Sequence, residues 1–198
     1  LIRGKFIMAI IDKPTDHFTP TIYTGTGSTQ SITSLDFAPD LVWLKNRTTA
    51  YNHGLWDSIR GATNALYSSA TNAEGVESGV SAFNSNGFSV GSSLAYNKSS
   101  DLFISWNWKA GGTAVSNTAG SITSSVSANT TAGFSVATFT TSGGGIDTVG
   151  HSLGVAPSMI ILKSTTNVNN WSIYHKSLGN NKEILFTTGA SSTNTIWN

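Results

Sequence analysis

Ala38-Pro39-Asp40-Leu41-Val42-Trp43-Leu44-Lys45 decides the fold, because Ala156-Pro157-Ser158-Met159-Ile160-Ile161-Leu162-Lys163 repeats it. Each is a short apolar run with β-branched or aromatic members, led in by Pro and followed by polar turn residues. A run this short with Pro at its mouth reads as a buried strand rather than a helix. Lys163 follows Lys45 by 118 residues (163 − 45), and the same spacing pairs Leu55 with Ile173, Trp56 with Tyr174 and Gly61 with Gly179. One offset held from strand to glycine, with aromatic matched to aromatic, is the signature of a tandem repeat.

Working outward, residues 18–112 form the first unit. Thr21-Ile22-Tyr23-Thr24 is strand-like, and Asp57 to Gly61 reads as a tight turn or one helical turn with Asp57 as its cap. Asn84-Ser85-Asn86-Gly87 is a hairpin turn between Ser81-Ala82-Phe83 and Phe88-Ser89-Val90. Leu102 to Lys109 alternates with a period of two, which sets Leu102, Ile104, Trp106 and Trp108 on one face. That apolar face is expected on the core or in a subunit contact. Residues 113–133, rich in Gly, Ser, Thr and Asn, read as a linker with a short strand near Ile122 to Val126. Residues 134–198 form the second unit. They include no counterpart of Ser81 to Gly112, so the second unit is expected to be incomplete and the chain part of a longer repetitive protein. The fold class expected is all-β: tandem antiparallel β-sandwich units of jelly-roll-like kind. Residues 1–17 stand outside the repeat as an N-terminal arm, within which Met8-Ala9 makes a natural start. Phe6, Ile7, Ile10 and Ile11 are its candidate anchor onto a partner.

Composition narrows the function. Charged residues make up 11% and the formal net charge is +1, against about 25% charged in ordinary domains. A nucleic-acid footprint needs clustered Lys and Arg, so no nucleic-acid partner is expected. No apolar run approaches the roughly 20 residues that span a bilayer, and no membrane insertion is expected. With no cysteine, disulfides and thiolate metal sites are excluded.

Catalytic chemistry has little to work with. Asp36 and Asp40 flank Pro39, and Glu74 and Glu77 share a loop. A glycan depolymerase would need such a pair, but Gly154 and Ser158 stand in the second unit where the two aspartates stand in the first. His17, His53, His151 and His175 lack metal-ligand spacing, and Gly143-Gly144-Gly145 lacks the Lys-Ser/Thr of a phosphate loop. No catalytic residue, metal or cofactor is therefore assigned. The aromatics offer more. Tyr51 and His53, beside a turn rich in Asn and Thr, and Trp171 are candidate glycan contacts.

The runs Met8-Ala9-Ile10-Ile11-Asp12-Lys13-Pro14, Tyr23-Thr24-Gly25-Thr26-Gly27, Phe37 to Arg47, Trp56 to Thr63 and Ile104 to Gly112 resemble the repeats of marine bacteriophage structural proteins. Those are large repetitive virion proteins of the tail-fibre or surface-decoration type. The resemblance covers the chain from Met8 onward and is clearest in the first unit; the second lacks the Asp-Ser-Ile-Arg-Gly run. It implies a non-enzymatic virion protein on the particle surface, attached through its N-terminal region to other virion proteins. Self-association as a homo-oligomer and contact with host surface glycan are the further partner expectations.

Overall fold

The computed structural model describes residues 11–186, 191–193 and 196–197. The anchor residues Phe6, Ile7 and Ile10 lie outside the described residues; Ile11 is half-buried.

The Pro-led run becomes strand β3 (Leu41–Asn46). It pairs antiparallel with β4 (Gly54–Asp57) on one side and with β9 (Leu102–Trp108) on the other. β1 (Phe18–Thr24) lines the far edge of β9, while β5 (Asn64–Tyr67) and β6 (Gly75–Val76) continue beyond β4. A second layer of β2 (Gln30–Ile32), β7 (Val80–Asn84) and β8 (Gly87–Val90) closes over this sheet. Val42 and Leu44 of β3 point between the layers with Trp56, Phe88, Val90 and Phe103, joined by Tyr96 from a helical turn, α1 (Leu94–Asn97). Each such side chain contributes about 1.5–3 kcal/mol by leaving water. The first unit is thus an antiparallel sandwich, as the strand pattern implied.

The ends of the sheet are tied by polar side chains. Asn46 donates from Nδ2 to Asp101 at 2.8 Å, and its Oδ1 accepts the backbone N–H groups of Thr48 and Thr49. The Asn46 amide, and after it the Thr49 hydroxyl at 2.7 Å, hold the Asp101 carboxyl below its ordinary pKa of 3.8. A carboxylate with a depressed folded-state pKa stabilises the fold above the unfolded value and loses that contribution as pH falls through the folded value. Stability is therefore expected to decline on acidification below about pH 4. Urea midpoints at pH 6 and pH 3 check this: Asp101→Asn should flatten the difference relative to the unsubstituted chain.

The second unit repeats four strands of the first in chain order. β13 (Met159–Leu162) stands for β3, β14 (Ser172–His175) for β4 and β15 (Lys182–Leu185) for β5 in one sheet, while β12 (Phe134–Phe139), the sequence counterpart of β1, pairs in a separate three-stranded sheet. The registers agree as well. Trp43 lies opposite Leu55, and Ile161 opposite Ile173. Leu55 lies opposite Leu66, and Ile173 opposite Ile184. The turn glycines match: Gly61 has φ +93° and Gly179 φ +80°, a left-handed conformation that glycine adopts without steric cost. β16 (Ser191–Thr193) extends the sheet beyond β15.

The stretch expected as a linker with a short strand near Ile122 to Val126 holds two strands, β10 (Val115–Asn117) and β11 (Ser124–Asn129), which pair in series with β12. Val126, Ser124 and Ser127 are buried there, so small polar side chains with bonded hydroxyls make a strand where few apolar residues signal one. Of the places expected for the apolar face of β9, core or contact, the core of the first sandwich is not the one it takes. Phe103, Ser105 and Asn107 face inward and are fully buried, whereas Trp106 and Trp108 face out of the first sandwich. Asn107 can face inward because its Nδ2 donates to Thr19 O at 2.8 Å and to Ser105 Oγ at 3.0 Å.

Candidate functional site: an aromatic seam between two units

The outward face of the first sheet is not left to solvent. Trp43 of β3 and Trp106 and Trp108 of β9 lie side by side, with ring centroids 5.9 and 6.5 Å from Trp43. Phe18 of β1 packs on Trp108 at 4.8 Å. The second unit lays its own rings on this row: Phe134 of β12 stacks on Trp108 at 6.1 Å, and Phe186 meets Trp43 at 5.9 Å and Trp171 at 5.8 Å. Leu55 and Leu66, on the same side of the first sheet, close the cluster around Trp171. Ring pairs at such spacings add about 0.5–1.5 kcal/mol each beyond the area they bury.

Polar bonds fix the seam in one position. The Trp171 indole N–H donates to Tyr67 O at 2.8 Å and to Ala70 O at 3.2 Å. Glu74 N donates to Thr165 O at 2.8 Å. Arg60, paired with Asp57, reaches the Glu74 carboxylate at 2.6 Å and steadies the loop that makes this contact. On the other flank Gly111 N donates to Ser127 Oγ at 2.8 Å, and Asn129 joins His17 Nδ1 at 3.0 Å. The seam holds two units as one piece; what it offers chemically is area and alignment.

The candidate site residues separate. Tyr51 is 36% exposed and shares the β3–β4 loop with half-buried His53. Burial, and then the Lys45 charge, push the His53 pKa down from its ordinary value. Trp171, expected beside them as a glycan contact, is 4% exposed and belongs to the seam. Its sequence neighbours Asn170 and Ser172 are polar, and Leu55 and Leu66 of the first unit help to bury it. The seam rings Trp43, Phe134 and Phe186 were not singled out from the sequence, although the period of two in β9 already placed Trp106 and Trp108 together.

Asp36 and Asp40 have different employment. Asp36 makes an exposed ion pair with Lys13 at 2.8 Å. Asp40 is buried and accepts from Ser58 Oγ at 2.7 Å, Ala110 N at 2.7 Å and Gly112 N at 3.3 Å. It ties the mouth of β3 to the chain leaving β9. Asp40→Ala is expected to cost about 2–3 kcal/mol in thermal or urea unfolding, since charge-assisted bonds to buried amides are lost. Asp36→Asn should stay within about 0.5 kcal/mol. Among the described residues no three His, Asp or Glu side chains converge as a metal site.

No curated protein and no solved structure matches this chain. Residues 13–198, a span that takes in both units and the seam between them, match the domain of unknown function DUF7483, and the chain belongs to that family.

Proposed function

We propose that this chain is a non-enzymatic structural protein of a bacteriophage particle, a tail fibre or capsid-surface decoration. Its N-terminal region attaches it to other virion proteins, its β units project outward, and copies associate as a homo-oligomer. The observation that carries this reading is the repetition of one strand register in two units joined by a packed seam. A rigid, repeatable brick suits a molecule that must extend from a surface. The resemblance of Phe37 to Arg47 and Ile104 to Gly112 to phage repeats points the same way, and the structural use of Asp40 supports a chain without a reaction to run. Antibody raised against the chain should label purified particles in electron micrographs. Particles that carry neither the label nor the chain's peptides by mass spectrometry would end the proposal.

A second reading, host-glycan adhesion, draws on the exposed Tyr51 ring beside His53. It expects glycan-array binding that Tyr51→Ala abolishes without moving the unfolding midpoint.

A further inference from the structure

In the first unit β9 fills the place between β1 and β3 and pairs along the whole of β3, with Trp43 opposite Trp106 and Leu44 opposite Ser105. β13 is the counterpart of β3 and meets β14 in the register that β3 keeps with β4. Yet among the described residues β13 pairs with β14 alone and forms the edge of its sheet. Both faces of β13 register the difference. Outward, Met159 is 49% and Ile161 42% exposed, while their counterparts Leu41 and Trp43 are half-buried. Inward, Val42 and Leu44 are fully buried, whereas Ile160 and Leu162 are half-buried, and Leu162 lines an open groove with Ser172 and Leu185.

An edge strand is kept from pairing by charge, Pro, a bulge or a covering element. Met159-Ile160-Ile161-Leu162 carries neither charge nor Pro. Four consecutive apolar residues suit a strand enclosed on both faces. Pairing with another β13 would satisfy the backbone, but it would bring no indoles to cover Met159 and Ile161. A strand with the alternation of β9 brings them in the register already seen on β3.

We propose that the free edge of β13 is an acceptor for a β9-type strand: an extended segment, antiparallel to β13, whose aliphatic and indole side chains alternate with a Phe-Ser-Asn face. In this pairing an indole stands opposite Ile161, as Trp106 stands opposite Trp43, and main-chain bonds supply affinity while the alternate side chains supply selectivity. The inference rests on strand registers and does not depend on the virion reading.

The test uses a synthetic peptide with the sequence of residues 101–109 as the probe, added to the full chain and followed by hydrogen–deuterium exchange. The expected result is at least about tenfold slower exchange across residues 159–162. A peptide carrying Trp106→Ser and Trp108→Ser should give little protection. Ile161→Lys in the chain, at an exposed position that leaves the near-ultraviolet spectrum unchanged, should cancel it. Absence of protection, protection confined to other strands, or association of copies through β13 that the peptide does not displace would each overturn the proposal.

Discussion

Trp56→Ala is expected to lower the unfolding free energy by about 3–5 kcal/mol, the range for losing a large buried aromatic. The ring is fully buried, and its surroundings explain why the loss should reach that range. Tyr96 meets it edge-on, with centroids 4.9 Å apart and planes at 88°. Gly54 and Gly79 wall it with backbone: a Cβ on either would come within 2.3 Å of the indole. Backbone held by strand pairing at Gly54 and by the Gly91 N–H to Gly79 O bond cannot collapse inward as flexible side chains can, so the cavity stays open, and its cost grows with its volume. Tyr96 is also held from elsewhere, donating from its hydroxyl to Asn52 O at 3.1 Å and accepting at its backbone oxygen the Tyr23 hydroxyl at 2.6 Å. Urea unfolding of the variant measures the effect; a loss below about 1 kcal/mol would show that the ring is not packed as described.

Trp171→Ala is the second large expectation, and it separates two roles for one side chain. As part of the seam, Trp171 contributes its buried ring and two bonds to the first unit's backbone. Truncation also removes the indole donor from Ala70 O and from Tyr67 O, which keeps only its bond from Ala70 N. A loss of about 3–5 kcal/mol is expected, concentrated where the units meet. Calorimetry should then resolve a second, earlier transition for the second unit where the unsubstituted chain melts in one. A Trp171→Ala chain that melts normally and loses only glycan binding would restore the role first assigned from sequence.

Much of the architecture was legible before the structure. The Pro-led run and its repeat located β3 and β13, the spacing between them matched the residues of the two units, and the Asn-Gly turn placed the β7–β8 hairpin. These are local signals, carried by residues adjacent in sequence. Which face of β9 the core takes was not legible in the same way. Alternation shows which side chains share a face, but a central strand has both faces covered, and hydropathy alone does not choose between core and contact. Ser105 and Asn107 take the interior because β1 supplies acceptors for them, which only tertiary pairing reveals. Of the candidate site, Tyr51 and His53 were found together because they share a loop, whereas Trp171 was misassigned because its burial depends on Tyr67 and Ala70, about a hundred residues earlier.

The joint between the units is made of aromatic rings and backbone amides, with little charge across it. Mobile ions screen exposed charges over a Debye length of about 8–10 Å near physiological strength, and they have almost nothing to act on here. Brine and dilute buffer should therefore leave the relative orientation of the two halves unchanged, so that a stack of such bricks would keep its stiffness across large swings of salinity.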